Sequence, residues 1–551
     1  MTFTTVTDRY SQDDIATFYA TGLWCEETLF DVLDVQVSGQ PDKVFITDDT
    51  TSLTYQELRD TGLRLAASLK RLGLGKGDRV CVQIPNWTEF AQIAVALSRI
   101  GAIMVPIMPI YRRDEVGYIL RDGGIRVAIT CERFKNFDYL DMYTKLQADC
   151  PDLEKIVVAR GHSSDERDSV IAFGSLLAAS GPVVAAEELG AGAGADDPFV
   201  IVYSSGTTSR PKGCLHTFNT FAAGSRLLGK GLGYRRSDVQ FGPSPVTHTT
   251  GFITSLLIPM IYGAASHLME TWEPSAGLQQ ISKFHCTVAV TATTFLQMLM
   301  DVYDPDQHDP SSLRIWVSAG SPIPGAFVER ARKLLPDCQI LSLYGRTENA
   351  VTTMCTVEDD PGRSITSDGS ALPGTSIKVV DEVGLELPRG QEGDIAFRGP
   401  SHMLEYINNP QETAALFTPD GYSRSGDLGV MDEEGYVRVT GRLKDIVIRG
   451  GMNISVRQVE DLLTAHPAVS GVGVVGMPDD QLGERLCCYL VLAAGHESLT
   501  LEDMQTYLLD QGLAIQKMPE HLEIVPRLPM TATGKIQKHI LRADIAEKLK
   551  S

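Results

Sequence analysis

The amino-acid sequence predicts an α/β protein with a large amino-terminal domain of mixed and parallel sheets and a smaller α+β carboxy-terminal domain. Three observations support this fold class. The chain has 551 residues, which is more than one hydrophobic core ordinarily organises. Helical and strand patterns alternate through its first half, as in proteins built around parallel sheets. After Gly374 the pattern changes to short runs that are typical of antiparallel strands.

The alternation begins near residue 53. Apolar residues recur at helical spacing in YQELRDTGLRLAASLKRLG and EFAQIAVALSRIG, whereas DRVCVQI and RVAIT have strand patterns. Short runs rich in Val, Ile and Leu follow in FVIVYSS, CTVAVTA, LRIWVSAG and CQILSLYG, as expected of strands buried on both faces. We therefore expect parallel sheets that are covered by helices.

The second half is predicted to contain a β subdomain and then a small mobile domain. The runs after Gly374 that suggest antiparallel structure are TSIKVVDEVGLEL, GDIAFRGP and GYVRVTGR. From Asp445 to Ser551, strand patterns in SGVGVVGM and RLCCYLVLA mix with helical patterns in SVRQVEDLLTAH and LEDMQTYLLDQG. We predict domains at residues 1–443 and 444–551, with a hinge near Lys444.

Composition and charge exclude several classes of function. Apolar residues make up 43% and charged residues 22%, the balance of a soluble globular protein. The net charge of -21 argues against a nucleic-acid partner, because nucleic acids attract basic surfaces. The longest apolar stretch, Phe252 to Ala265, is too short to span a bilayer and predicts a buried helix instead of an integral membrane segment. The acidic amino terminus lacks a leader pattern, so we expect a cytoplasmic protein.

The loop YSSGTTSRPKG, from Tyr203 to Gly213, is the strongest chemical signal. It directly follows a predicted strand and combines hydroxyl groups, a glycine that permits close backbone approach, and a lysine. Its spacing does not match the Walker pattern, which excludes a Walker-type ATPase. The loop predicts a phosphate cradle made by Ser204, Ser205, Gly206, Thr207, Thr208 and Lys212.

This loop resembles the signature of adenylate-forming enzymes, a superfamily of acyl-CoA synthetases, peptide-synthetase adenylation domains and beetle luciferases. It differs at Ser209, where the family usually has glycine. Further motifs follow in the family's order and extend the resemblance over most of the chain: SAGSPIP at Ser318–Pro324, YGRTE at Tyr344–Glu348, RSGDLG at Arg424–Gly429, GRLKDIVIRGGMNISVRQVE at Gly441–Glu460 and PMTATGKI at Pro529–Ile536.

The resemblance implies an ATP site and assigns residues to it. Tyr344 would stack on adenine, Asp427 would accept the ribose hydroxyls, and Arg442 would support Asp427. Glu348 and Thr207 would bind Mg²⁺, because that ion prefers hard oxygen ligands. Other residues expected to contact the nucleotide are Ser318, Gly320, Ser321, Gly345 and Thr347.

The resemblance also implies catalytic and coenzyme A sites. Lys535 would meet the negative charge that builds between the carboxylate and the α-phosphate, with Lys212 and Glu348 as further catalytic residues. Rotation at Lys444 would then exchange Lys535 for a surface that faces coenzyme A. The residues that would border its pantetheine arm are Arg449, Gly450 and Gly451, and those that would line or gate the acyl pocket are His248, Thr291 and Thr294.

The branch of the family follows from smaller features. An α-amino acid substrate would call for a carboxylate soon after the motif PVTHTTGF, and Ile253 stands there. The segment Ile103–Leu120 is similar to segments of medium-chain and alicyclic acyl-CoA ligases. We therefore predict an ATP-dependent ligase that joins such an acid to coenzyme A through an acyl-adenylate.

Two alternatives remain at this stage. The first is an acyl-AMP ligase that loads a separate carrier protein, and the second is an inactive nucleotide-binding regulator. A third possibility, dinucleotide binding at GVGVVG (Gly471–Gly476), lacks the βαβ context that this fingerprint needs. We interpret that segment as an ordinary strand.

Overall fold

The computed structural model describes residues 3–161, 168–179, 183, 185–204, 210–320, 323–530 and 535–549. Its architecture is α/β, with two large mixed sheets, an antiparallel sheet and a smaller sheet near the carboxyl end of the described chain. This confirms the predicted fold class. Within these ranges no helix has the length and the apolar composition needed to cross a bilayer.

The first large sheet carries the strands that end at the cavity described below. Its central strands are parallel and its two edge strands are antiparallel. In spatial order they are Thr353–Met354, Gln339–Tyr344, Ile315–Ala319, Val288–Ala292, Val239–Gly242, Ala265–Leu268, Val44–Thr47 and Ser52–Thr54. The strands predicted from CTVAVTA, LRIWVSAG and CQILSLYG are neighbours here, as the apolar runs indicated.

The second large sheet carries the strands that flank the phosphate loop. The run FVIVYSS forms Pro198–Tyr203 in this sheet, apart from the other three predicted strands, and pairs on one side in antiparallel fashion with Gly213–Thr217. The order is Glu405–Tyr406, Gly213–Thr217, Pro198–Tyr203, Ile103–Pro106, Arg79–Gln83, Val127–Cys131, Lys155–Ala159 and Val170–Ala172. A separate hairpin joins Arg133–Phe134 to Phe137–Asp138.

The two remaining sheets confirm the predicted change of pattern. The β subdomain is antiparallel, in the order Ser376–Val380, Glu392–Arg398, Ser423–Met431 and Val437–Arg442. The last sheet has the order Met452–Ile454, Val447–Arg449, Gly483–Leu492 and Val469–Asp479, with His521–Ile524 parallel to Gly483–Leu492. The segment GVGVVG lies inside the strand Val469–Asp479, as predicted.

Helices cover the sheets because each presents an apolar face to them. Tyr55–Arg71, for example, buries Leu58, Leu65 and Leu69. The other α-helices are Val6–Arg9, Gln12–Ala20, Leu29–Gly39, Glu89–Ile100, Arg113–Asp122, Tyr139–Gln147, Phe173–Ala179, Phe218–Gly231, Thr249–Phe252, Ile258–Tyr262, Pro274–Lys283, Thr293–Val302, Gly325–Leu334, Arg363–Thr366, Pro410–Ala415, Arg457–Thr464, Leu501–Asp510 and Lys538–Lys548. Short 3₁₀ turns occur at Ala186–Leu189, Leu443–Asp445 and Ile515–Lys517.

Most of the apolar stretch Phe252–Ala265 is helical, as the sequence predicts, but the helical part ends at Tyr262, and Ala265 begins the strand Ala265–Leu268. A π-helical turn, Ile253–Leu257, joins the helices Thr249–Phe252 and Ile258–Tyr262 into one continuous element. Such turns widen a helix locally and are frequent beside functional sites. This element forms one wall of the cavity described next.

Candidate active site

A cavity lies where the parallel strands of the first sheet end, as expected for α/β proteins. Strands Val288–Ala292, Ile315–Ala319 and Gln339–Tyr344 bring Ala292, Gly320 and Gly345 to its wall. The apolar part of its lining includes Leu228, Ile253, Val290, Phe295, Leu343 and Ala350. Its polar part includes Ser244, His248, Thr249, Thr254, Thr347 and Lys535.

The residues predicted to bind ribose lie together. Asp427 and Arg442 are directly opposite in adjacent antiparallel strands, and Arg442 Nε lies 2.8 Å from Asp427 Oδ1. The Tyr344 hydroxyl donates a hydrogen bond to Asp427 Oδ2 at 2.6 Å. Burial and the Asp427 carboxylate hold the pKa of Tyr344 well above its usual range, so the phenol stays a donor. The hairpin register therefore prepares a carboxylate whose position is fixed from two sides.

The YGRTE turn places Glu348 in a charged cluster. Its Oε1 accepts a hydrogen bond from the Tyr406 hydroxyl at 2.5 Å. Burial opposes ionisation, but the charge of Arg346, the Tyr406 hydroxyl and the charge of Lys212 outweigh it, and the pKa of Glu348 lies below its usual range. Within the turn, a side chain at Gly345 would meet the Ala350 carbonyl oxygen 2.0 Å away, which explains the glycine. Glu348 is therefore a carboxylate at neutral pH.

The described part of the phosphate loop consists of its two ends. The Ser204 N–H donates to the Lys212 carbonyl at 2.9 Å, which closes the base of the loop. Lys212 Nζ lies 2.9 Å from Glu412 Oε2 and 4.6 Å from the centre of the Tyr406 ring. The predicted phosphate contacts at Ser205, Gly206, Thr207 and Thr208, including the metal ligand Thr207, lie outside the described residues, as does Ser321.

Lys535 reaches the cavity from the carboxy-terminal part of the chain. Lys535 lies beside Gly320, because a side-chain carbon added at Gly320 would be in van der Waals contact with Lys535 Cε at 3.7 Å. Burial and the neighbouring charge of Arg442 lower the pKa of Lys535 to about 8, against the opposite influence of Asp427 and Glu348. Lys535 thus lines the same cavity as His248, and its catalytic role stays a prediction.

His248 begins the helix Thr249–Phe252 and lines the cavity. Its Nδ1 accepts a hydrogen bond from the Thr250 N–H at 3.3 Å, which leaves Nε2 to carry the proton of the neutral ring. Burial, with a smaller contribution from Lys535, lowers the pKa of His248 to about 4. The imidazole is therefore uncharged at neutral pH and presents a polar edge to the cavity.

Thr291 and Thr294 are not among the residues that line this cavity, and their role in an acyl pocket stays a prediction. The cavity is lined by their neighbours Val290, Ala292 and Phe295. The Thr291 hydroxyl instead accepts a hydrogen bond from the Trp316 indole at 3.0 Å on the buried side of the strand. Because successive side chains of a strand face opposite ways, Val290 and Ala292 face the cavity when Thr291 faces the core.

The structure also places Gly320, Thr347 and Ser318, which are predicted to contact the nucleotide. Gly320 and Thr347 line the cavity. Ser318 lies in the strand Ile315–Ala319 and is fully buried, and its hydroxyl has no hydrogen-bond partner among the described residues. No contact shown by the structure tests its predicted role toward adenine.

The predicted coenzyme A residues lie at a hairpin turn. Gly450 and Gly451 both have positive φ, at 57° and 82°, and form the two-residue turn between Val447–Arg449 and Met452–Ile454. Arg449 pairs with Glu520 at 2.8 Å. Their role toward coenzyme A stays a prediction.

The predicted hinge lies between two sheets. The β subdomain ends at Arg442 and the next strand begins at Val447, with Lys444 in the 3₁₀ turn between them. The Lys444 carbonyl accepts a hydrogen bond from Arg542 at 3.3 Å. The domain division at residues 443 and 444 remains a proposal.

Motif analysis missed three residues of the charged cluster. Arg346 donates to the Arg424 carbonyl at 2.9 Å and to the Ser423 hydroxyl at 2.9 Å, which ties the YGRTE turn to the β subdomain. Tyr406 and Glu412 contact Glu348 and Lys212, as given above. An available signal was the segment YINNPQET, which has a buried strand end followed by a helix start with proline.

Comparisons with known proteins agree with this geometry. Residues 33–407 match the family profile described as AMP-binding enzyme, and residues 458–535 match that of the AMP-binding enzyme C-terminal domain. The chain is 35% identical to the medium-chain fatty-acid-CoA ligase of Escherichia coli (strain K12), over 99% of this chain and 95% of that protein. It is 31% identical to the mitochondrial medium-chain acyl-CoA ligase of Danio rerio, over 95% of this chain and 89% of that protein.

A solved structure shows the same fold over nearly the whole length. The anthranilate CoA ligase AuaEII in complex with anthranoyl-AMP has a TM-score of 0.87 and 27% identity, over 97% of this chain and 100% of that one. The two family matches, the full-length relatives and the assembled cluster around Lys535 lead to one assignment. The chain belongs to the AMP-binding enzyme family and is an acyl-CoA synthetase.

Proposed function

We propose that the enzyme joins a medium-chain, alicyclic or similar carboxylic acid to coenzyme A. The observation that carries this proposal is a cavity whose lining combines apolar residues, such as Leu228, Val290 and Phe295, with Lys535. An uncharged acyl group fits the apolar part of this lining, since its burial there is favourable. The carboxylate of the same acid would then face the ammonium group of Lys535.

ATP and coenzyme A are the co-substrates of this enzyme class. In the first step a carboxylate oxygen attacks the α-phosphorus, the bond to the bridging oxygen breaks, and pyrophosphate leaves. Lys535 opposes the negative charge that gathers between the reacting groups. Asp427 holds the ribose hydroxyls, and its orientation is already fixed by Arg442 and Tyr344.

Mg²⁺ is the expected metal for this step, and Glu348 fits it. Its carboxylate is ionised and held at one oxygen by Tyr406, which suits a hard cation that takes one or two protein carboxylates. Mg²⁺ would offset charge on the leaving pyrophosphate. Lys212 would contact the same phosphates after leaving Glu412.

In the second step the coenzyme A thiol attacks the acyl carbonyl, and AMP leaves. We propose that rotation at Lys444 removes Lys535 and presents the hairpin with Arg449, Gly450 and Gly451. Lys444→Pro restricts the backbone at this connection. We expect it to lower overall turnover while acid-dependent exchange between ATP and pyrophosphate continues. Equal loss of both activities in a folded variant would contradict a hinge role.

A panel of acids tests the proposed substrate. The purified enzyme is incubated with ATP, Mg²⁺, coenzyme A and short, medium, long-chain, alicyclic, aryl or steroid-side-chain acids, and AMP formation is followed. We expect the highest kcat/KM with medium-chain or alicyclic acids and dependence on coenzyme A. AMP formation that required a carrier protein, or a preference for short or aryl acids, would contradict the proposal.

A further inference from the structure

The segment from Met403 to Glu412 contacts both residues that the proposed function assigns to the phosphates of ATP. Its strand, Glu405–Tyr406, pairs with Gly213–Thr217, which leaves the phosphate loop immediately after Lys212. Tyr406 is directly opposite Cys214 in this pairing. The strand register therefore places Tyr406 beside the base of the phosphate loop.

Tyr406 also fixes Glu348. The tyrosine is 2% exposed, and its hydroxyl donates to Glu348 Oε1 at 2.5 Å. Three residues earlier, the Met403 N–H donates to the Glu348 carbonyl at 2.7 Å. One short segment thus holds the side chain and the backbone of the same residue. Such contacts orient a metal-binding carboxylate and reduce the conformational entropy that its side chain loses when the metal binds.

The same tyrosine ring supports Lys212. The Lys212 ammonium lies 4.6 Å from the ring centre, within the distance of a cation–π attraction. Its other contact is Glu412, at 2.9 Å, whose side chain is 56% exposed. Because an exposed ion pair is weak, ATP can replace Glu412 as the partner of Lys212 without moving the ring.

We propose that Tyr406 is a positioning residue for the adenylation step, which orients Glu348 toward Mg²⁺·ATP through its hydroxyl and seats Lys212 through its ring. The hydroxyl engages one carboxylate oxygen, so Glu348 offers the metal its other oxygen in a fixed direction. This inference rests on the proposed role of Glu348. It gives Tyr406 two separate roles. The first, the contact of its hydroxyl with Glu348, affects nucleotide binding only when Mg²⁺ is present, and the second, the contact of its ring with Lys212, does not require metal.

Tyr406→Phe tests the first role, because it keeps the ring and removes only the donor. Binding of α,β-methylene-ATP, whose α–β linkage resists cleavage, is measured by calorimetry with Mg²⁺ and again in EDTA. We expect the affinity for the Mg²⁺ complex to fall about tenfold, the lower end for loss of such a contact. The affinity for the metal-free nucleotide should stay unchanged, since Lys212 keeps its ring.

Glu348→Gln supplies the thermodynamic check. If the hydroxyl acts through the carboxylate, Tyr406→Phe has little further effect in a Glu348→Gln background, because the contact is already changed. Additive losses in the double variant would contradict positioning through Glu348. Equal weakening of both nucleotide forms by Tyr406→Phe, or weakening of neither, would overturn the inference.

Tyr422→Phe is the matched control. The Lys378 ammonium lies 4.4 Å from the Tyr422 ring and 2.6 Å from Asp420, and the Tyr422 hydroxyl contacts Ser376 at 2.8 Å. This site has the same arrangement of a lysine, a tyrosine ring and an acidic side chain as the Tyr406 site, but the tyrosine hydroxyl contacts a serine instead of a carboxylate. We expect nucleotide binding to be unaffected, and thermal unfolding of both variants shows whether each is folded.

The outcome can be separated from that of the proposed function. Acid-dependent pyrophosphate release by the unaltered enzyme tests the function, whereas the difference between metal-bound and metal-free binding tests Tyr406. An enzyme that activated none of the acids but showed the metal-specific loss in Tyr406→Phe would contradict the function and support the inference. Activity of the unaltered enzyme with medium-chain acids, without a metal-specific loss in Tyr406→Phe, would support the function and contradict the inference.

Discussion

The proposed nucleotide side of the site, around Asp427 and Glu348, and its proposed acyl side, which is the cavity itself, are built in different ways. On the nucleotide side, Asp427 is bound by Arg442 and Tyr344, and Glu348 is bound by Tyr406. On the acyl side, the hydroxyls of Thr249 and Thr254 have no partner within the described part of the chain, and the remaining surface is mostly apolar. The carboxylates proposed to bind the nucleotide and metal are therefore held in position before ligand binds, whereas the acyl side would select its ligand mainly by shape.

The largest test of this difference is Lys535→Ala, which removes the charge where the two sides meet. We expect acid-dependent pyrophosphate exchange to fall by about 100- to 1000-fold, because a fixed group that stabilises developing charge is lost. Thioester formation from added acyl-AMP and coenzyme A should remain near the level of the unaltered enzyme. Loss of both half-reactions in a folded variant would show that Lys535 serves the whole site.

Asp427 and Arg442, which the motifs assign to the nucleotide, lie side by side for a physical reason. The antiparallel strands Ser423–Met431 and Val437–Arg442 are close in sequence and pair as a hairpin that places the two residues opposite each other. The acyl side was less predictable. The strand Val288–Ala292 is buried on both faces, so its sequence lacks the polar alternation that would show which side chains face the cavity. In such a strand the sequence does not show whether Thr291 or its neighbours Val290 and Ala292 face the cavity.

Tyr406 shows a second limit of reading the sequence. It contacts Glu348 across 58 positions of sequence and lies in a strand only two residues long. Its pairing with the strand after the phosphate loop depends on tertiary structure, which no local pattern encodes. Glu348 and Lys212, which we propose to meet the phosphates, lie in recognisable motifs, whereas the contact of Tyr406 with them cannot be read from local sequence.

Asp427→Asn tests whether the preassembled nucleotide side carries affinity. The amide keeps the shape but loses the charge that binds Arg442 and that accepts the ribose hydroxyls. We expect the KM for ATP to rise about tenfold to 100-fold, in line with the loss of hydrogen bonds to a charged group. The KM for the acid should change much less. A comparable rise in both constants would mean that the two sides are coupled.

The pH dependence of adenylation gives a test without mutation. Burial and Arg442 lower the pKa of Lys535 to about 8, so the ammonium form predominates below that pH and is lost above it. We expect kcat/KM for the adenylation half-reaction to fall about tenfold per unit above this pKa, since it reports the free enzyme. His248, with a pKa of about 4, stays neutral across this range.

The thioester half-reaction is the control for that profile. If rotation removes Lys535 before the thiol attacks, the alkaline fall should be absent when acyl-AMP and coenzyme A are supplied. An identical fall in both half-reactions would assign it to another group. Lys535→Arg offers a further check, because its guanidinium keeps its charge and should lack the fall even if its activity is low.

Phe295→Leu tests the acyl side, where we expect the smallest effect. Phe295 lies in the first turn of the helix Thr293–Val302 and lines the cavity, so a smaller side chain enlarges the pocket without adding charge. The ratio of kcat/KM values should shift about tenfold toward bulkier acids, because each methylene in such a pocket contributes about 1 to 3 kcal/mol. The KM for ATP should not change. If ATP binding weakened while acid preference stayed constant, the apolar lining of the cavity would not be the surface that selects the acid.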